Sequence, residues 1–291
     1  MKKNLLYIAT IAVAAFASCQ KEPSDAAQKE DKMPIQLSLS LQSKVTDAGY
    51  ENGDKIGVYV SYEATLAPSG NYVDNKGFTL TNDAWTPDEE IYWADKTTAA
   101  DFYCYYPYGT PVDATAYGFS VKSDQSTLAS YSASDFLWGC KAGAKPGDGA
   151  VAIRTAHIMS NLLLYLEAGD GFTAQEFASA KKSVRIGNVR NNAIVNLATG
   201  GVTSAGDAST ITPYWTGECY RAVVVPQAVA SNSSLVVLTI DDVVYTLTRD
   251  FDFESKTQHK LVVTVNKSTS GLSVSVDSWI VDDNVYGGDA K

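Results

Sequence analysis

Between residues 35 and 42 apolar and polar side chains alternate without a break, with Ile35, Leu37, Leu39 and Leu41 on one side and Gln36, Ser38, Ser40 and Gln42 on the other. Successive side chains of an extended chain point to opposite faces, so a period of two predicts a half-buried strand. Further strands are predicted over residues 55–61, 101–106, 117–122, 151–155, 161–167, 183–189, 193–197, 219–225, 258–266 and 271–280. Residues 235–240 and 243–248 flank Asp241-Asp242, which predicts a hairpin with a tight acidic turn. Only 173–181 has helical spacing, with Phe172, Phe177 and Ala180 able to share a face. Short strands parted by Gly, Pro, Asn and Asp, without repeated crossover helices, imply an all-β fold of antiparallel sandwiches with few short helices. At 291 residues the chain is too long for one small sandwich, and two domains are expected. The boundary falls where one strand pattern ends at His157 and the run Leu162-Leu163-Leu164-Tyr165-Leu166 begins, giving 34–158 and 159–291.

The N-terminus reads as an export signal. Lys2 and Lys3 precede an apolar run over residues 5–17 that is too short to span a bilayer, and the small residues Ala17 and Ser18 lead to Cys19. This layout makes 1–18 a lipoprotein signal peptide and Cys19 the lipidation site. Residues 19–33 are polar, contain Pro23 and lack a periodic apolar face, so they are expected to form a flexible tether. Gln20 stands where Asp would favour inner-membrane retention, so the outer membrane is the expected destination. The full chain carries a formal charge of −10, and removal of Lys2 and Lys3 makes it more acidic. That sign disfavours nucleic acid and anionic headgroups as main partners. Cys104, Cys140 and Cys219 follow the lipidation site without a CxxC spacing; at most one disulfide can form among them, and three buried free thiols are the favoured reading.

Catalytic chemistry is hard to assemble from these residues. The chain has two histidines, His157 and His259, neither in a motif, and structural roles are expected for both. No GxSxG elbow, HExxH pair or phosphate-binding glycine loop occurs. Glu89-Glu90, Asp241-Asp242 and Asp282-Asp283 are adjacent pairs, and neighbours on a strand diverge, so they read as turn or surface charges. Asp250, Asp252 and Glu254 alternate with Phe251 and Phe253; a calcium site there needs oxygen ligands from other segments. The run Phe102-Tyr103-Cys104-Tyr105-Tyr106-Pro107-Tyr108 reads as an aromatic core strand ended by Pro107. No catalytic residue, metal site or cofactor is expected.

Several segments, taken in order, resemble the fimbrillin family of pilus lipoproteins, in particular its minor-fimbrium-like branch. They are Tyr50-Glu51-Asn52-Gly53-Asp54-Lys55-Ile56-Gly57-Val58-Tyr59, Trp93, the aromatic run from Asp101 to Tyr108, Ser134-Asp135-Phe136-Leu137-Trp138, His157-Ile158-Met159-Ser160-Asn161-Leu162, Val225-Pro226-Gln227, Phe253-Glu254-Ser255-Lys256 and Trp279. The resemblance implies two tandem transthyretin-like sandwich domains and a structural, non-enzymatic subunit of surface pili. It also implies export as a lipoprotein, proteolytic removal of the first strand and assembly by donor-strand exchange, serving adhesion to a host or bacterial surface ligand.

On these residues the removable strand is the one carrying Ile35, Leu37, Leu39 and Leu41, and the donor candidate is Leu272, Val274, Val276 and Ile280 near the C-terminus. Such a head-to-tail contact does not close and so builds a filament of pilin subunits. Family shaft subunits present Arg after the first strand, but here the first arginine is Arg154, and Lys44 occupies the matching position. Cleavage between Lys44 and Val45 therefore calls for a processing protease that accepts Lys, and an uncut subunit would serve as a base or anchor. The alternative is a lipid-anchored glycan-binding protein, which predicts an exposed aromatic platform such as Trp85, Tyr92 and Trp93.

Overall fold

The computed structural model describes residues 32–41, 49–63 and 65–267, together with the backbone of Ser273–Val281. The first half supplies β1 (Leu37–Leu41), β2 (Lys55–Ser61), β3 (Val73–Thr81), β4 (Ala84–Pro87), β5 (Ala100–Tyr106), β6 (Tyr117–Ser120), the short helix α1 (Leu128–Ser132), β7 (Leu137–Ala144) and β8 (Val151–His157). All of these strands except β6 join one seven-stranded sheet in the order β1-β8-β7-β5-β2-β3-β4. Strand β5 shows why both faces of that sheet are covered. Alternation sends Phe102 and Cys104 to one side and Tyr103 and Tyr105 to the other, and all four are buried. The first side packs with Ile35, Leu37, Ile56, Val58, Phe78, Trp93 and Ile153. The second joins a larger cluster that continues into the later half of the chain. Strand β2 passes the Tyr105 ring so closely that a Cβ on Gly57 would strike it, which leaves room there for glycine alone.

The second half supplies β9 (Ser160–Ala168), α2 (Ala174–Ser179), β10 (Lys182–Asn196), β11 (Gly201–Ile211), β12 (Tyr214–Trp215), β13 (Tyr220–Val224), β14 (Gln227–Val229), β15 (Ser234–Ile240), β16 (Val243–Thr248), β17 (Phe251–Phe253), β18 (Gln258–Asn266) and β19 (Ser273–Val281). One sheet runs β11-β10-β15-β16 with β6 added on β10, another runs β12-β13-β9-β18-β19, and β14 pairs with β17. Leu162, Leu164, Ala222, Val224, Leu261 and Val263 from the second of these share a core with Val184, Ile186, Leu238 and Ile240 from the first. Phe136 sits where that core meets the seven-stranded sheet. Its ring stacks on Tyr105 at 5.8 Å and meets Phe119 of β6 edge-on at 4.9 Å.

The protein is thus an all-β sandwich fold, and its sheets are antiparallel except for two ladders. Strand β1 lies parallel to β8, and β9 lies parallel to β18. Each parallel pair is separated by a long stretch of intervening strands, the kind of connection that parallel pairing requires. Strands β2 and β18 coincide with their predicted bounds, and Asp241 and Asp242 both adopt positive φ in the predicted hairpin. Residue Thr173 caps α2 through a reciprocal box with Glu176. Two predicted strands, 183–189 and 193–197, are one strand, β10. Register shifts beside Asn188, which has positive φ, and again between Arg190 and Asn192 bend the strand without ending it. All three downstream cysteines are free, Cys104 and Cys219 buried and Cys140 partly so. Burial raises the Cys104 thiol pKa strongly, as expected for a thiol packed as a small hydrophobe.

Candidate assembly groove

Strand β1 forms one edge of the seven-stranded sheet, and its ladder to β8 runs from Leu37 opposite Val151 to Leu41 opposite Thr155. The residues just before it bond elsewhere. The Ile35 amide donates to the Ile91 carbonyl at 2.9 Å, and the Trp93 amide donates to the Met33 carbonyl at 3.0 Å. Residues 91–93 follow β4, the opposite edge of the sheet, so the first segment closes the sandwich from both ends. Burial along it is graded. Ile35 and Leu37 are 4% and 7% exposed, Leu39 and Leu41 are half-buried, and the intervening Gln36, Ser38 and Ser40 face solvent. Beside the half-buried end lies a cleft of about 310 Å³ bordered by Leu39, Leu41, Tyr50, Leu80, Asp83 and Trp85.

Tyr50 closes that cleft from beneath. Its ring meets Trp85 edge-on at 5.1 Å and Tyr106 at 5.9 Å. Its hydroxyl lies 2.7 Å from the Thr155 hydroxyl, and Thr155 donates to the Ser40 carbonyl at 3.3 Å. Burial, more than any neighbouring charge, pushes the Tyr50 phenol far above its ordinary pKa, so it stays a neutral donor.

At the other end of the chain, β19 is an edge strand paired only with β18. Val274 and Val276 lie opposite Val265 and Val263, whose side chains are buried, whereas Ile280 lies opposite Lys260 after a register shift. Cys19, Lys44, Val45 and Leu272 lie outside the described residues.

A family model described as fimbrillin-like matches residues 43–279. The chain belongs to the fimbrillin-like family. Solved structures agree on the fold. A candidate cell-adhesion protein from Bacteroides uniformis superposes with a TM-score of 0.63 at 22% identity, over 89% of this chain and 100% of that one. Another from Bacteroides ovatus gives 0.66 at 17% identity, over 87% and 99%. A fimbrial protein from Bacteroides ovatus gives 0.51 at 17% identity, covering 85% of this chain and 54% of that one. A comparison with curated proteins finds no match.

The remaining candidates in this fimbrillin-like chain occupy structural positions. Trp93 is buried against Phe102, Trp85 is half-buried against Tyr50, and the Tyr92 hydroxyl donates to Glu90, so the three do not make a shared exposed platform. Phe251 and Phe253 are buried while Asp250, Asp252 and Glu254 are exposed. Among the described residues no group of three or more His, Cys, Asp or Glu is placed to hold a metal ion.

His157 and His259 are both embedded in packing. Burial alone would lower the His157 pKa, but the hydrogen bond and charge of Asp135, 2.5 Å from Nδ1, outweigh it and raise it above 6.5. Its contribution to stability is therefore present below pH 6.5 and lost as pH rises through the raised value. His259 is 5% exposed, packs against Phe251 and Phe253, and accepts the Glu254 amide at Nε2. Burial lowers its pKa below 6.5, against the smaller opposing pull of Glu254 and Asp252. The unfolded chain then binds this proton more tightly, so the contribution of His259 is present above pH 6.5 and lost as pH falls below it. Thermal melts of His259→Leu should therefore show a shallower loss of Tm between pH 7 and pH 5 than the parent. Parallel slopes would contradict this assignment.

Proposed function

We propose that this chain is a structural subunit of surface pili, exported as a lipoprotein through Cys19 to the outer membrane. Cleavage between Lys44 and Val45 then removes the first strand, and the C-terminal strand of one copy fills the groove left in the next. The observation that carries this reading is the position of β1. It is bonded to one neighbouring strand only, yet its apolar face and the preceding Ile35 complete the core. Its departure would bare the polar backbone of β8 together with Val151 and Ile153, a template that pairs readily with another extended segment. The family match, beginning at residue 43, also covers the part that remains after such a cut. Repeated donation is heterologous and propagates as a filament of identical subunits. The protein works by binding its neighbours and, through the filament, a surface ligand; catalysis has no part in this account.

The intact mass of the native surface form tests the processing step. A lipid-free mass beginning at Val45 is expected. A lipidated species beginning at Cys19, with no shorter form in the pilus fraction, would contradict cleavage and leave an anchored subunit.

A further inference from the structure

The half-buried end of β1 differs from the rest of the strand in what holds it. At Ile35 and Leu37 the grip is apolar and closed to solvent. Around Ser40 it is a chain of hydrogen bonds, from the Tyr50 hydroxyl to the Thr155 hydroxyl and on to the Ser40 carbonyl. Thr155 is fully buried, and its single proton is directed to a backbone oxygen on β1. Tyr50 and Thr155 both lie beyond residue 44, so both stay with the subunit when the strand leaves. The vacated site then presents a buried hydroxyl that needs a carbonyl acceptor, since an unsatisfied buried polar group is costly. Beside it lies the cleft walled by Leu80 and Trp85, with room beyond what Leu39 and Leu41 fill.

We propose that Tyr50 and Thr155, backed by Trp85, form the terminal pocket of the groove and are its positioning residues. The pocket takes the backbone carbonyl and apolar side chain of an extended strand from a second copy of this chain, and it holds β1 until that strand arrives. The required chemistry points to such a strand: one polar contact is met by main chain, and the void beside it is apolar. Within this chain β19 fits best, because it alternates Val274 and Val276 with polar residues, lies near the C-terminus and is paired on one side only. The inference rests on the strand-exchange reading and adds the residues that set where the strand stops.

Detergent-solubilised full chain, nicked at Lys44 by brief trypsin treatment, provides the test. Native mass spectrometry follows release of the N-terminal fragment and capture of a synthetic peptide of residues 272–281. Tyr50→Phe keeps the ring and Thr155→Val keeps the shape, so folding is preserved while the hydrogen-bond chain is cut. Each variant should release the fragment about fivefold faster than the parent and lose captured peptide about fivefold faster, as expected for one hydrogen bond of ordinary net strength. A peptide set with single backbone carbonyls replaced by methylene separates positioning from general loosening. One member should bind the parent more weakly than the unmodified peptide does, yet bind Thr155→Val no more weakly. If the parent releases its fragment and captures peptide but the variants match it in both rates, the pocket assignment is wrong. If the nicked parent never captures peptide, the strand-exchange reading itself fails.

Discussion

Replacing Phe136 with alanine is expected to destabilise the protein by about 3–5 kcal/mol, among the largest effects of any single substitution here. Phe136 is fully buried and its ring contacts Tyr105 from β5, Tyr117 and Phe119 from β6. No rotation of a neighbouring side chain can fill the gap without breaking another of these aromatic contacts, so most of the cavity should persist. The Phe136 carbonyl also accepts the Ile158 amide at 2.9 Å, at the turn into β9. The substitution therefore loosens the place where the first sheet, β6 and β10 share a core. Urea denaturation should show a lower midpoint, and Tm should fall by roughly 10 °C. A change below about 1 kcal/mol would mean that this joint contributes little to the fold, contrary to its packing.

Removal of residues 1–44 is expected to change the association state more than any point substitution. Ile35 and Leu37 are buried nearly completely, and together they contribute about 3–6 kcal/mol to burial. Leu39 and Leu41 add less because they stay half-buried. Net stabilities of domains are about 5–15 kcal/mol, so a sandwich lacking this strand is left with little reserve. Its bared strip of β8 alternates buried Val151 and Ile153 with exposed Ala152 and Arg154. An incoming strand with matching alternation recovers both backbone bonds and apolar burial, which makes self-association favourable. The same grading of burial accounts for release from one end. The Leu41 end, next to the cleft, is held by fewer apolar contacts than the Ile35 end and should fray first.

Much of this was legible in the sequence where one face of a strand meets a core. The alternation at residues 35–42, the bounds of β2 and β18 and the Asp241-Asp242 hairpin all follow from local pattern. Strand β11 was not legible, because most of its residues are exposed at an edge and carry no apolar rhythm. Strand β3 hides behind Asn75 with positive φ and a register shift, and β7 behind two glycines in a stretch of small residues. At the groove, the parity of β1 could be read from its own residues. Its closure onto Ile91 and Trp93, and the link from Tyr50 through Thr155 to Ser40, depend on segments brought together only by the fold. The register shift in β19 that places Ile280 opposite Lys260 is likewise a property of pairing, invisible in a simple alternation.

The account's central claim is that the first strand fills a groove that another copy's C-terminal strand can occupy. Analytical ultracentrifugation of the chain lacking residues 1–44, with and without the peptide of residues 272–281, tests it most directly. Concentration-dependent polymers that collapse to monomers carrying one peptide each are the predicted result. A monomer that ignores the peptide at every concentration, while keeping its β-sheet circular dichroism, would contradict it.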